Sequence, residues 1–339
     1  MRISKLVRKN ILQMKPYSSA RDDHQGKRGI FLDANENPHG IFNRYPDPRQ
    51  KALKNKLSEM KGVTPENIFI GNGSDEVIDI LFRVFCEPRR DKVVLCPPTY
   101  GMYEVCANLN DVNVLEVRLT EAFQLNVEEV LKVAKRENRL KMIILCSPNN
   151  PSGNMLHDVE KLLQSFDGLT IVDEAYIDFS RTKSLIHKID DHPGLVVVQT
   201  MSKAWGMAAA RIGMAYASRE IVDFMNKVKP PYNISGLNQE AALKALNRRN
   251  VFLKHKKIIL EQRNFLEKQL SNLSCVTKVH QSDANFLLVE FMDAALIYDE
   301  LIKGKIITRN RSDLIANCIR ITVGTQEENQ KLIKHLKRM

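Results

Sequence analysis

The chain of 339 residues has no long hydrophobic segment, no short repeat and no paired-cysteine motif. No apolar run approaches the ~20 residues that a membrane-spanning helix needs, so we expect no membrane span. The basic N-terminal segment lacks an uninterrupted apolar stretch, which argues against a secretory signal. Because no period recurs, coiled coils and repeat architectures are also excluded.

The six cysteines form neither a C-x-x-C pair nor a zinc-ligand spacing. Most of them lie in apolar runs such as VVLC and IILC. This pattern predicts buried free thiols in a reducing cytoplasm, without a metal site. The positions are Cys86, Cys96, Cys106, Cys146, Cys275 and Cys318.

Composition is that of a globular protein, with 43% hydrophobic and 27% charged residues, and the length suggests about two domains. The net charge of +11 has two interpretations, a nucleic-acid surface or a solvated surface with a few cations that hold anionic ligands. The basic residues are scattered, and dense only in the helix-like segments KRENRLK, NRRNVFLKHKK and KHLKRM. No nucleic-acid-binding motif is present, so we favour the second interpretation and expect no nucleic-acid partner.

Short apolar segments rich in β-branched residues alternate with helical patterns through the first two thirds of the chain. VEEVLKVAK, for example, has apolar residues at helical spacing after a candidate N-cap, Asn126. Segments that are apolar throughout are typical of strands covered on both faces. We therefore predict an α/β domain with a mainly parallel seven-stranded sheet flanked by helices. The predicted strands are 67–70, 92–96, 112–117, 141–146, 169–173, 195–200 and 212–217.

The pattern changes after about residue 235. One long helical stretch is predicted from Gln239 to about Leu270, followed by strand-like TKVHQ, NFLLVEF, KIIT and CIRITV and by helix-like AALIYDELIKG. A last helix is predicted to begin at Thr325, where T-x-x-E forms a capping box with Glu328. The C-terminal third is thus a smaller α+β domain, and the Pro-Pro pair in KPPYNIS suits a hinge. The predicted division is an N-terminal arm at 1–30, a large domain at 31–235 and a small domain at 236–339.

Lys203 follows a buried strand, in a loop rich in glycine and alanine. An amine surrounded by apolar groups loses proton affinity through desolvation and can then attack carbonyl groups to form a Schiff base. Ser202 and Arg211 lie close enough in sequence to hold a phosphate beside it. The alternative is an exposed loop lysine that pairs with any nearby acid.

Asp173 ends another apolar strand, LTIVD, and Tyr176 follows three residues later. A carboxylate in that position is costly unless it is paired, and a cationic ring nitrogen would compensate for the cost. The alternative is a structural aspartate that caps the next turn.

Two further segments carry weak signals. The turn after IILC places Asn150 before Pro151, where its amide can donate to an oxygen anion, although a turn alone explains it. In GNGSDEVIDILF, a strand leads through glycines to Ser74 and Asp75 at a helix start, which can hold a phosphate, although an N-cap alone explains it. The segment fits neither the P-loop pattern nor the dinucleotide fingerprint.

The order of these segments is far more specific than each alone. The helix start, Tyr100, N-P-x-G, D-x-A-Y and S-K-x-x-G-x-x-x-x-R-x-G resemble the fold-type I pyridoxal-phosphate aminotransferases, over residues 31–324. Four segments are similar to the histidinol-phosphate aminotransferase branch of that family, and PYSSAR (16–21) resembles its substrate-covering arm. These four are LDANENP (32–38), RYPD (44–47), PTYGMY (98–103) and CIRITVGT (318–325).

The resemblance implies pyridoxal 5′-phosphate as the cofactor. Lys203 would carry it as a Schiff base and move the proton, and Asp173 would keep its ring nitrogen protonated. Asn150 and Tyr176 would bind the phenolic oxygen, and Tyr100 would stack on the ring. The residues that would hold the cofactor phosphate are Ser74, Asp75, Ser202 and Arg211, with Tyr45 from the partner subunit of a homodimer.

For the substrates, the resemblance implies reversible amino transfer between L-histidinol phosphate and 2-oxoglutarate, giving imidazole-acetol phosphate and glutamate. This is a ping-pong reaction of histidine biosynthesis. Arg320 would pair with either a phosphate or a carboxylate. Tyr17, Asn35 and Arg309 would complete the phosphate site. The loop RNRSDLIANC is shorter than the family pattern, so Arg311 is an alternative to Arg309.

Two enzyme classes of the same architecture remain as alternatives, threonine-phosphate decarboxylases and aromatic aminotransferases. The decarboxylases share the lysine, the aspartate and the phosphate site, and carry segments similar to PYSSAR and RYPD.

Overall fold

The computed structural model describes residues 2–17 and 29–339. A seven-stranded sheet in the order β1-β7-β6-β5-β4-β2-β3 forms the centre of the large domain. All seven predicted strands are confirmed: three have the predicted bounds, and the ends of the other four differ by at most two residues. Their bounds are β1 Ile68–Asn72, β2 Lys92–Leu95, β3 Asn113–Glu116, β4 Leu140–Cys146, β5 Leu169–Asp173, β6 Leu195–Thr200 and β7 Ile212–Ala217.

The sheet is mainly parallel, as predicted. β7 alone among these strands runs antiparallel to its neighbours, β1 and β6. Alternate residues of one strand contribute to different apolar clusters on the two faces: Val196 and Val198 to one, Val197 to the other. β-branched residues suit this position because both faces of the strand are covered.

Eleven α-helices lie in the described parts of the chain, and short 3₁₀ turns connect several elements. Asn126 caps α5 as predicted, its side chain accepting from the Glu129 N–H, and the predicted capping box of Thr325 and Glu328 begins α11. The helices are α1 Lys9–Gln13, α2 Lys51–Lys61, α3 Ser74–Phe85, α4 Met102–Leu109, α5 Val127–Arg136, α6 Val159–Ser165, α7 Arg219–Val228, α8 Gly236–Leu246, α9 Arg249–Leu270, α10 Ala294–Lys303 and α11 Gln326–Leu336. Within residues 2–17 and 29–339, no helix is both long and apolar enough to cross a membrane.

The long helix predicted from Gln239 to Leu270 is wrong, because the chain breaks into α8 and α9 at Asn247 and Arg248. The two helices have different packing partners. Ala242 and Leu246 of α8 belong to the large-domain core, whereas Leu266 and Leu270 of α9 belong to the core of the small domain. A straight helix cannot serve both surfaces, so the chain turns between them.

The small domain contains an antiparallel sheet in the order β10-β11-β9-β8. The predicted strand KIIT is wrong: the pairing falls on the next two residues, Arg309 and Asn310, which lie opposite Arg320 and Ile319. The other predicted strands are confirmed with shifted ends. The bounds are β8 Val276–Val279, β9 Phe286–Phe291, β10 Arg309–Asn310 and β11 Cys318–Thr322.

The start of the described chain packs on the large domain. Ile3, Val7 and Ile11 are buried in its core, and the Arg8 N–H donates to the carbonyl of Val84 at the end of α3. The substrate-covering role assigned to the arm concerns PYSSAR, of which SSAR lies outside the described residues. That role, and the predicted domain boundaries, stay predictions.

Candidate active site

Asp173, Asn150 and Lys203 meet where neighbouring parallel strands end. Cys146 and Asp173, the last residues of β4 and β5, lie side by side in the sheet. Asn150 follows β4 after a short loop, and Lys203 follows β6 in the same way. Because the carboxyl ends of parallel strands share one edge, the fold brings these groups together.

Asp173 is buried, with 3% of its surface exposed. Its Oδ2 accepts a hydrogen bond of 2.7 Å from the Tyr103 hydroxyl, and its Oδ1 accepts one of 3.0 Å from the Ala175 N–H. Burial raises the pKa of Asp173 to about 6, against the lowering effect of these two donors. A lone pair on each oxygen is left for a further donor.

Lys203 is exposed, with its Nζ 5.4 Å from the centre of the Tyr176 ring. Desolvation by the surrounding protein lowers its pKa, and the nearby positive charge of Arg320 lowers it further. The alternative of a loop lysine paired with an acid is not what the structure shows, since the salt bridges of the described residues do not include Lys203. Its environment therefore shifts the amine toward its neutral, nucleophilic form.

The start of α3 forms an open cradle for an anion. Gly73 at the N-cap has φ of +82°, and no side chain caps the first N–H groups of the helix. An added Cβ on Gly73 would overlap with the Arg211 guanidinium, and one on Gly213 would overlap with the backbone of Gly73 and Ser74. Two glycines therefore let β7 and an arginine approach uncapped helix N–H groups, as a phosphate site requires.

Arg211 and Asp75 are held together at this cradle. The Arg211 Nη2 donates to the Asp75 Oδ2 at 3.3 Å, and the Tyr100 hydroxyl donates to the Asp75 Oδ1, also at 3.3 Å. The Ser202 hydroxyl lies 3.0 Å from the hydroxyl of Thr200 at the end of β6. The Asp75 carboxylate anchors the Arg211 guanidinium, while the backbone N–H of Asp75 remains available for an anion.

A second contact joins the small domain to this edge. The Arg320 Nη1 on β11 donates to the Asn150 Oδ1 at 2.5 Å, and the Asn150 Nδ2 donates to the Tyr176 hydroxyl at 3.4 Å. The guanidinium carbon of Arg320 lies 5.3 Å from the centre of the Phe286 ring, on which Tyr176 packs edge to face. Asn150 and Tyr176 thus lie between Lys203 and Arg320.

The sheet register places a second arginine beside Arg320. Arg309 lies directly opposite it in the antiparallel pair, so both side chains leave the same face. Arg311, two residues further along, donates its N–H to the Cys318 carbonyl, and its Nε is buried without a hydrogen-bond partner. Desolvation is the main cause that lowers the pKa of Arg320, and the charge of Arg309 adds to it.

The remaining predicted residues lie elsewhere. Asn35 and Tyr45 line an open groove of about 1030 Å³, where the Tyr45 ring stacks on Tyr232 with 4.4 Å between centres. Tyr17 is 68% exposed at the end of the first described segment. Their predicted roles at the substrate and at a partner's cofactor stay predictions.

Sequence reasoning missed Tyr103. It lies three residues after Tyr100, in the first turn of α4, and is fully buried. The sequence carries no local signal for this role, because Tyr100 lies before the helix begins and Tyr103 looks like an ordinary core aromatic residue. A buried tyrosine needs a hydrogen-bond partner for its hydroxyl, and Asp173 is that partner.

The charges and shape of the site fit pyridoxal 5′-phosphate. The uncapped start of α3 with Arg211 suits a phosphate, the buried Asp173 suits a cationic ring nitrogen, and Lys203 suits an aldehyde. The family model of aminotransferase class I and II matches residues 25–336. The chain therefore belongs to the class I and II aminotransferases, a family dependent on pyridoxal phosphate.

Within this family, the resemblance to the histidinol-phosphate aminotransferases is confirmed. The histidinol-phosphate aminotransferase of Cytophaga hutchinsonii is 50% identical over 346 residues, covering 99% of this chain and 98% of its own. The structure of histidinol-phosphate aminotransferase from Sinorhizobium meliloti in complex with pyridoxal-5′-phosphate has a TM-score of 0.80 at 24% identity, covering 87% of this chain and 82% of that one.

A third similarity concerns the fold. L-threonine-O-3-phosphate decarboxylase from Porphyromonas gingivalis has a TM-score of 0.74 at 22% identity, covering 88% of this chain and 90% of that chain. The predicted fold-type I architecture is confirmed. Because the decarboxylase has this architecture too, the fold alone does not separate the two activities.

Proposed function

We propose that this chain transfers the amino group of L-histidinol phosphate to 2-oxoglutarate, a step of histidine biosynthesis. The observation that carries the proposal is the meeting of Lys203, Asp173 and the α3 cradle at one sheet edge, with Arg320 reaching in from the small domain. The 50% identity to a histidinol-phosphate aminotransferase over nearly the whole chain supports the choice of substrate.

The bound cofactor supplies an electron sink for the carbanion formed at the substrate's amine-bearing carbon. Lys203, with its lowered pKa, would bind the aldehyde and then carry a proton at its Nζ. Asp173 would pair with the protonated ring nitrogen, and its burial would strengthen that ion pair. Asn150 and Tyr176 would bind the phenolic oxygen, and Tyr100 would stack on the ring.

Anion recognition differs at the two ends of the cleft. Ser74, Asp75 and Ser202 offer N–H or hydroxyl donors to the cofactor phosphate, with Arg211 as the cation. Arg320 offers its planar guanidinium to the substrate, where it must accept a phosphate in one half of the reaction and a carboxylate in the other. Because histidinol phosphate has no α-carboxylate, its phosphate is the anion that selects it.

Arg309, with Tyr17 and Asn35, is assigned to that substrate phosphate. Its position opposite Arg320 supports this choice over Arg311, because two like charges on one sheet face repel unless an anion lies between them. A phosphate with two negative charges compensates for both guanidinium groups.

A homodimer forms part of the proposal, supported by the apolar surface near Tyr45. Ile41 and Phe42 are 88% and 71% exposed, and with Tyr232 they line the same groove as Tyr45. Exposed apolar side chains clustered in this way are typical of an interface. Burying them against a second copy would bring Tyr45 to the partner's cofactor phosphate. We place the enzyme in the cytoplasm, in keeping with six free cysteines.

The test is an assay of the purified protein with L-histidinol phosphate and 2-oxoglutarate, run beside phenylalanine and threonine phosphate. We expect glutamate to form fastest from histidinol phosphate. Release of CO2 from threonine phosphate without 2-oxoglutarate would overturn the proposal in favour of a decarboxylase.

The variant for this test is Lys203→Ala, matched with Lys183→Ala at an exposed surface lysine. The first variant should remain folded, lose turnover and lose the yellow colour of the bound cofactor, whereas the second should behave as the wild type. A wild-type protein that stays colourless after addition of pyridoxal phosphate would contradict the cofactor assignment.

A further inference from the structure

A buried hydrogen bond joins Tyr103 to Asp173. The Tyr103 hydroxyl donates to the Asp173 Oδ2 at 2.7 Å, and both residues are buried. The bond joins two separate elements, the first turn of α4 and the end of β5. Among residues 2–17 and 29–339, it is one of two donors to this carboxylate, the other being the Ala175 N–H.

Packing fixes the position of the tyrosine. Tyr103 belongs to the core on one face of the large sheet, together with Cys146 and Val198. Its ring meets Tyr100 edge to face, with 5.5 Å between centres and 87° between planes. Burial and the neighbouring Asp173 hold the pKa of Tyr103 well above its usual range, so the hydroxyl stays a donor.

The other charged and titratable groups around Asp173 give little compensation. The positive charge of Lys203 lowers the pKa of Asp173, whereas the negative charge of Asp75 raises it. Cys146, Tyr100 and Tyr176 are neutral at pH 7, since burial raises their pKa values. The groups that face Asp173 are thus Tyr103 on α4, Cys146 on β4, Asp75 on α3, Lys203 after β6, Tyr176 after β5 and Tyr100 before α4.

We propose that Tyr103 is a positioning residue whose hydroxyl keeps Asp173 ionised, so that the proton shared with the cofactor's ring nitrogen stays on the nitrogen. The inference deepens the proposed function and rests on it. A hydrogen bond to a charged oxygen stabilises the ionised form and weakens it as a base. Without the hydroxyl, the buried carboxylate would compete with the ring nitrogen for the proton.

The experiment measures Asp173 in the protein without cofactor. The protein is labelled with ¹³C at the aspartate carboxyl groups, the Asp173 signal is assigned by its loss in Asp173→Asn, and its pH midpoint is measured. We expect Tyr103→Phe to raise this midpoint by about one pH unit, which corresponds to a tenfold weaker acid, because bonds to charged groups are among the stronger ones.

The chain offers a matched control in Tyr216→Phe. Tyr216 is also fully buried, but its hydroxyl has no hydrogen-bond partner. This variant loses the same atom from the core on the other face of the same sheet, without touching Asp173, and its midpoint should equal that of the wild type. A merely structural role for Tyr103 would leave the Asp173 midpoint unchanged in both variants.

A second readout uses the loaded enzyme with ¹⁵N in the cofactor ring. In Tyr103→Phe the ring nitrogen should lose part of its proton, whereas in Tyr216→Phe it should not. An unchanged Asp173 midpoint in folded Tyr103→Phe, or an equal change in Tyr216→Phe, overturns the inference. Failure of the proposed function would look different, as loss of cofactor binding or of transamination in the wild type.

Discussion

Arg309 and Arg320 lie directly opposite each other on neighbouring antiparallel strands, so two guanidinium groups leave one face of the small sheet. Their mutual repulsion is relieved when an anion binds between them. We predict that Arg309→Gln raises KM for histidinol phosphate at least tenfold, with a smaller effect on KM for glutamate, because bonds to charged groups contribute about 1.5–3 kcal/mol. Steady-state kinetics with each substrate varied will measure this.

Arg311→Gln is the comparison variant for that prediction. Its buried Nε has no hydrogen-bond partner, and its backbone N–H donates to the Cys318 carbonyl, whereas Arg309 is the residue opposite Arg320 in the sheet. A larger rise in KM for histidinol phosphate in Arg311→Gln than in Arg309→Gln would show that Arg311, and not Arg309, binds the substrate phosphate.

The raised pKa of Asp173 predicts a pH-dependent stability of the protein without cofactor. The folded pKa of about 6 lies above the ordinary 3.8, so the folded state binds more protons between these values and stability falls as pH rises from about 4 to 6. Asp173→Asn should therefore stabilise the cofactor-free protein above pH 6, by up to about 3 kcal/mol, and not at pH 4. Urea unfolding at both pH values will show it; equal effects at both would contradict the reasoning.

Gly213 predicts a steric requirement at the phosphate cradle. An added Cβ would overlap with backbone atoms of Gly73 and Ser74, which cannot rotate away. Gly213→Ala should lower the free energy of unfolding by about 1–3 kcal/mol and weaken pyridoxal phosphate binding. The control is Gly101→Ala, where the Cβ meets nothing within 4 Å and φ is −64°. Full stability and affinity in Gly213→Ala would count against the cradle.

The shared active site predicts complementation between two inactive variants. Lys203→Ala lacks the amine, and Tyr45→Ala lacks the group assigned to the partner's phosphate. A mixed dimer contains one intact site, so equal mixing after unfolding and refolding should recover about a quarter of wild-type activity. Phe42→Asp, on the exposed apolar surface, should yield monomers in sedimentation experiments. No recovery from mixing, with Tyr45→Ala inactive, would refute the shared site.

Much of the large domain follows from sequence alone, because its strands are continuous β-branched segments and its functional groups follow them directly. β10 could not be predicted in this way, since two residues carry no periodicity and their pairing with β11 decides their conformation. The break at Asn247 is also tertiary in origin, because α8 and α9 pack on different cores.

The site shows the same division. Lys203, Asp173 and Arg211 were visible as unusual residues at strand ends, and family order assigned their roles. Tyr103 could not be recognised from the sequence, because a tyrosine that only fills the core looks the same there as one whose buried hydroxyl donates a hydrogen bond. The bond between Arg320 and Asn150 spans 170 residues of chain, and no local pattern encodes it.

That bond has a consequence for how an anion binds at Arg320. The guanidinium of Arg320 in the small domain donates to the amide oxygen of Asn150 in the large domain. An incoming phosphate or carboxylate offers a charged acceptor, which is stronger than an amide oxygen. Such an acceptor would compete with the Asn150 Oδ1 for the Arg320 Nη1, so we expect anion binding at Arg320 to release the Asn150 amide.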